Sequence, residues 1–145
     1  MARPPETEIL WHPEAITPKT ADTLRALHAC AEIGSFYLAG GTGLALRLGH
    51  RLSVDLDFFT PGRFDEEDVI QQVETVPDFA LVEREPHPVH ATIRGIKVSL
   101  LGYPYPLLFP CERFLDTPVA DPRDIACMKI TAIASRGTKR DFVDL

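Results

Sequence analysis

Apolar residues come in short blocks along this chain, and the period changes from block to block. Leu24, Leu27 and Ala31 recur at spacings of three and four, which predicts a helix over Thr20–Ile33 ended by Gly34. Phe36-Tyr37-Leu38-Ala39 is a continuous apolar run bounded by Ser35 and Gly40-Gly41, the pattern of a buried strand followed by a turn. Leu44, Leu46 and Leu48 make the next segment a short apolar helix, with Thr42 as its expected cap and Gly49 as its left-handed end. From Arg51 to Phe59 the period becomes two. Arg51, Ser53, Asp55 and Asp57 share one face, and Leu52, Val54, Leu56 and Phe58 share the other. This predicts a second strand, buried on one side and carrying polar chemistry on the other.

Beyond it, Thr60-Pro61-Gly62 reads as a turn and Asp65–Val73 as an amphipathic helix with acids in its first turn. Ala80–Glu85 reads as a strand with solvated edge charge, and Val89–Leu101 as a hairpin turning near Gly95. In that hairpin Lys97 and Ser99 face one way, and Ile96, Val98 and Leu100 the other. Tyr103–Pro110 is a proline-broken apolar loop expected to pack over the sheet edge. Asp121-Pro122-Arg123-Asp124 starts a helix that runs through Ile125, Met128 and Ile130 toward Ile133, and another begins near Lys139-Arg140-Asp141. Prolines 4, 5, 13 and 18 keep residues 1–18 irregular, with Ile9, Leu10 and Trp11 anchoring them on the core.

Length makes residues 1–145 one domain with a single core. A chain 45% hydrophobic and 25% charged, with no membrane-spanning run and no signal-type N-terminus, is expected to be soluble and cytoplasmic. Cys30, Cys111 and Cys127 lack metal spacing and are expected to be buried free thiols. His87-Pro88-Val89-His90 has an H-x-x-H spacing, but Pro88 disfavours the helix that would make it a ligand pair. A net charge of −6 argues against nucleic-acid binding by the whole surface, leaving a local basic strip of Lys129, Arg136, Lys139 and Arg140.

The chemistry concentrates between residues 40 and 57. Two aspartates on one strand face repel each other when ionised, so the pair either raises one pKa or holds a cation. Oxygen ligands on a rigid strand suit Mg²⁺, which takes the rest of its shell from water and substrate phosphates. Gly40, Gly41 and Thr42 let a backbone and a helix start approach an anion. Carboxylates beside an anion cradle are the equipment of phosphoryl or nucleotidyl transfer.

Gly40-Gly41, then residues 42–54, then Asp55-Leu56-Asp57 resembles the signature of the polymerase-beta-like nucleotidyltransferases. More narrowly, GGTGLALRLGHRLSVDLDFF resembles the AbiEii/AbiGii family of abortive-infection toxins, with Arg51-x-Ser53-x-Asp55-x-Asp57 as the specific part. The resemblance implies an α/β (α+β) nucleotidyltransferase fold, with a mixed sheet of four or five strands and packed helices. It implies Mg²⁺-dependent transfer of a nucleoside monophosphate from an NTP to an acceptor hydroxyl, with tRNA as acceptor and an antitoxin as partner. Asp55 and Asp57 would hold the metal, and Gly40, Gly41, Thr42, Arg51 and Ser53 the triphosphate. The C-terminal block DIACMKITAIASRGTKRDFVDL matches the family too, so Lys129 would balance phosphate charge and Asp141 would orient or deprotonate the acceptor. A further helical portion is expected beyond this region. The chain departs from the pattern at Ser99, where the superfamily often has a third carboxylate; Asp141 is the candidate to supply it from elsewhere. That departure keeps open a catalytically degenerate nucleotide-binding module, and the shared core keeps open a small-molecule adenylyltransferase.

Overall fold

The structure is a computed structural model and describes residues 9–30, 33, 35–83 and 89–135. Its elements in order are α1 (Pro18–Cys30), β1 (Tyr37–Ala39), α2 (Gly40–Leu48), β2 (Leu56–Thr60), α3 (Glu66–Val73), β3 (Phe79–Glu83), β4 (Val89–Ile93), β5 (Ile96–Gly102), β6 (Glu112–Phe114), β7 (Thr117–Val119) and α4 (Pro122–Ser135). The strands form one mixed sheet in the order β3-β4-β5-β2-β1-β7-β6. Its seven strands exceed the four or five expected. The additional β6–β7 pair has three residues per strand, too short for any period to register. Its turn residues Leu115 and Asp116 are both left-handed without being glycine.

One sheet face carries the main core. Leu38, Leu56, Phe58, Val89, Ile93, Val98 and Leu100 pack with Leu24 and Leu27 of α1 and Ile70 and Val73 of α3. The opposite face carries a smaller cluster in which Tyr37, Ala39 and Leu44 meet Ala120, Ile125 and Met128. Thus α4 covers this second face over β1. Toward β5 and β4 the same face presents polar side chains.

Several helix ends follow their sequence signals. The Asp65 carboxylate accepts from the amides of Glu67 (2.9 Å) and Asp68 (3.3 Å). Asp121 does the same for the Arg123 amide at 2.8 Å, with Pro122 at the first helical position. Gly49 closes α2 with φ 64°. The first helix begins earlier than Thr20, because Thr17 Oγ1 accepts the Thr20 amide at 3.1 Å and Pro18 fits the first turn. Gly34 lies outside the described residues.

Trp11 anchors the N-terminal segment as expected, beside Phe114 (ring centroids 5.2 Å) and under the Arg47 guanidinium at 4.8 Å. Leu10, expected to anchor with it, is exposed, and Ile130 of α4 is exposed as well. So is Cys127, whereas Cys111 is half-buried. No helix among the described residues is long and apolar enough to cross a membrane.

Candidate active site at the double-glycine corner

The corner is built by the turn from β1 into α2. Ala39 pairs with Asp57 across the antiparallel β1–β2 ladder, so Gly40 begins next to that aspartate. Gly40 has φ +61°, and a Cβ there would stand 2.6 Å from Asp57 Oδ2. At Gly41 a Cβ would collide with Arg51 Nη2. The two glycines therefore have separate jobs. The first admits a carboxylate against the backbone, the second a guanidinium. Helix α2 starts at this point, and its first-turn amides have no partner within the helix.

The strand carrying Asp57 is shorter than its alternation suggests. It starts at Leu56, not Arg51. Leu52 is 72% exposed, so residues 51–55 do not lay an apolar face on the core. The physical cause is that side chains claim their carbonyls. Thr20 Oγ1 donates to the Val54 carbonyl at 2.9 Å, and Thr42 Oγ1 donates to the Asp55 carbonyl. Ser53 makes a single parallel bridge to Ile16, its amide donating to the Ala15 carbonyl at 2.8 Å. Since the Thr42 hydroxyl has one hydrogen, the Ser53 hydroxyl donates to it, at 2.6 Å. Thr42 is thus a buried clamp rather than the helix cap expected; the residue preceding α2 is Ala39, with no side-chain cap. Ser53 is buried in the same clamp. Asp55 stands half-buried one residue before β2.

On its other side β2 pairs in parallel with β5, which sets Asp57 opposite Ser99. Ser99 in turn faces His90 of β4, and His90 Nδ1 lies 2.9 Å from Ser99 Oγ. Directly paired residues share a face. The row Ala39–Asp57–Ser99–His90 therefore crosses the sheet on the side α4 occupies. Sequence reading singled out His90 only as part of the H-x-x-H and passed over this pairing. His87 lies outside the described residues.

Lys129 belongs to α4 and is 8% exposed, so it is not a solvated surface lysine, nor part of an exposed basic strip. It sits one turn beyond Ile125, whose Cδ1 would be 3.3 Å from a Cβ at Gly43 of α2. Residues four apart share a helix face, so Lys129 is on the side of α4 turned toward α2. Asp124, expected only as part of the helix start, is buried and accepts the amides of Leu108 (2.9 Å) and Phe109 (3.0 Å). It fastens the proline-broken loop, whose Tyr103 and Leu107 pack on the second-face cluster. Within that cluster burial pushes the Tyr37 phenol well above its ordinary pKa, and burial also raises the thiol of Cys111, which packs against it. Asp141, with Arg136, Lys139, Arg140 and Asp144, lies outside the described residues.

Among the described residues no group of three or more His, Cys, Asp or Glu could by itself hold a metal. Mg²⁺ does not require one, since it binds through one or two carboxylates and completes its shell with water and substrate phosphates. Asp57 stands against the Gly40 backbone, and Asp55 lies two residues before it in the chain.

Comparison with known proteins bears on the family and the fold. The chain is 44% identical over 114 residues to the uncharacterized protein aq_aa25 of Aquifex aeolicus (strain VF5). That match covers 76% of this chain and 55% of the relative, so the chain spans about half the length of that curated protein. Among solved structures, JHP933 from Helicobacter pylori has a TM-score of 0.56 at 19% identity, over 94% of this chain and 66% of that one. The complex of ANT(2")-Ia with adenylyl-2"-tobramycin has 0.57 at 15%, covering 82% and 78%. TM1012 from Thermotoga maritima, described as a candidate nucleotidyltransferase, has 0.57 at 20%, covering 89% and 95%. At these identities the structural matches speak to the fold, which is that of the nucleotidyltransferases. The nucleotidyl transferase AbiEii toxin family, a type IV toxin–antitoxin system, matches residues 22–145, and the chain belongs to it.

Proposed function

We propose that this chain transfers a nucleoside monophosphate from an NTP to an acceptor hydroxyl on tRNA, as the toxin of a toxin–antitoxin pair. The observation that carries the reading is the Asp57 carboxylate seated against Gly40, with the Arg51 guanidinium against Gly41. Asp57 and Asp55 would hold Mg²⁺, which when bound supplies Lewis-acid polarisation of the phosphate under attack. The amides of Gly41 and Thr42 and the Arg51 guanidinium orient the triphosphate tail. The Thr20–Thr42–Ser53 clamp holds residues 53–55 still, so Asp55 meets the substrate without reorganising. Lys129, on the α2-facing side of α4, balances phosphate charge. Family membership supports a protein antitoxin as partner.

The test incubates the purified chain with each α-³²P-labelled NTP, total tRNA and Mg²⁺. Labelled RNA is expected, and it should disappear with EDTA or Asp57→Asn. Absence of label with all four nucleotides contradicts the proposal. Ser99, at the usual position of a third carboxylate, favours a second reading, a module that binds NTP without turning it over. NTP binding without any product would support that one. Transfer to a small-molecule hydroxyl would be distinguished by product identity; its support is the fold shared with ANT(2")-Ia.

A further inference from the structure

The row across β2, β5 and β4 suggests what takes the acceptor's proton. Where a third carboxylate is expected, the sheet has Ser99, buried and directly opposite Asp57. A serine hydroxyl is too weak a base to take a proton at neutral pH. Yet Ser99 is in contact with a better one. His90 Nδ1 is 2.9 Å from its Oγ, and among the described residues this is the hydrogen bond that fixes the ring. Neighbouring strands lie about 4.8 Å apart, so the His90 backbone is roughly 10 Å from that of Asp57. The bond to Ser99 draws the Nδ1 edge of the ring toward β5 and leaves the Nε2 edge turned away from Ser99. His90 is half-buried, reaching the open polar part of the sheet face rather than the core.

We propose that His90, rather than Asp141, is the general base of the transfer reaction, with Ser99 as its positioning residue. This rests on the transferase reading above. In the required tautomer Nδ1–H donates to Ser99 Oγ, leaving the Nε2 lone pair to face the acceptor. The acceptor O–H gives its proton to Nε2 while its oxygen forms the new bond to the α-phosphorus. The bond from that phosphorus to the bridging oxygen breaks, and pyrophosphate leaves with the electron pair. The imidazolium then returns its proton to water. An imidazole here does the proton transfer that a carboxylate at position 99 would do, without adding its negative charge beside Asp57.

The experiment compares wild type, His90→Gln, Ser99→Ala and the double variant His90→Gln/Ser99→Asp, using α-³²P-labelled NTPs, total tRNA and Mg²⁺. His90→Gln should lower kcat by ~10²–10⁴-fold, the usual contribution of a general base. KM for the NTP should stay near the wild-type value, because the ring does not hold the triphosphate. Ser99→Ala should give a smaller loss. The double variant should recover part of kcat, since the carboxylate takes up the proton instead. A readout without turnover comes from ¹⁵N NMR of the imidazole in the substrate-free chain. The Nδ1–H tautomer is expected in wild type, and Ser99→Ala should shift the ring toward Nε2–H. Wild-type kcat in His90→Gln overturns the proposal. So does a rise in KM alone, or a tautomer indifferent to Ser99→Ala. If wild type itself transfers nothing, the transferase reading has failed and this inference falls with it. If wild type is active and His90→Gln is equally active, only the inference falls.

Discussion

Gly40→Ala tests the corner most directly. Gly40 has φ +61°, where an L-residue pays ~1–2 kcal/mol. The new Cβ would stand 2.6 Å from Asp57 Oδ2, whereas ordinary contact begins at 3.4 Å, so the carboxylate must retreat by about 0.8 Å (3.4 minus 2.6). Overpacking of this sort adds about 1–3 kcal/mol. The chain should survive that, since domains commonly have about 5–15 kcal/mol to lose. Catalysis should not, because a misplacement near 1 Å costs on the order of 100-fold. Gly62→Ala is the control. Its φ is +74° and nothing lies within 4 Å of its Cβ, so it carries the backbone strain without the collision. Urea melts should find Gly62→Ala destabilised by ~1–2 kcal/mol with wild-type transfer activity. Gly40→Ala should be less stable still and nearly inactive. A Gly40→Ala protein that labels RNA at the wild-type rate would refute the argument that this glycine exists to admit the carboxylate.

Other perturbations reach the surrounding structure. Thr42→Val strips the hydroxyl shared by Ser53 and Asp55, so it should cost about 2 kcal/mol in urea denaturation and reduce transfer, while Ser53→Ala should cost less. Tyr37 Oη is buried with no hydrogen-bond partner among the described residues, so Tyr37→Phe should hold or raise stability, by about 1 kcal/mol at most. Hydrogen bonds from Arg123 hold the Asp121 carboxyl below its usual range. The depressed pKa means Asp121 stabilises the fold above the ordinary carboxylate range, and this is lost as pH falls through its folded value. Asp121→Ala should therefore cost about 1 kcal/mol at neutral pH and progressively less in acid melts.

Legibility in the sequence followed the physics of each segment. The helix starts at Asp65 and Asp121 could be read because capping is local, requiring only the residue and its successors. The hairpin could be read because alternation and Gly95 are local too. Even its register was within reach: a two-residue turn at Arg94-Gly95, both left-handed, pairs Ile93 with Ile96 and so places His90 opposite Ser99. What sequence could not offer was the fate of residues 51–55. Their alternation is that of a strand, but Thr20 and Thr42, distant in the chain, take the carbonyls a ladder would use. Nor could helical spacing reveal that Lys129 is buried, because burial depends on how α4 lies against α2.

Asp57 rides on β2, the fourth of seven strands, laddered to β1 on one flank and β5 on the other. Main-chain groups held on both flanks exchange with solvent only when the surrounding sheet opens. The face that carries Asp57 is thus tied to the middle of the sheet. Peeling either edge of the sheet leaves this face in place, so an inhibitor that covers it is expected to act where one that frays an edge strand would not.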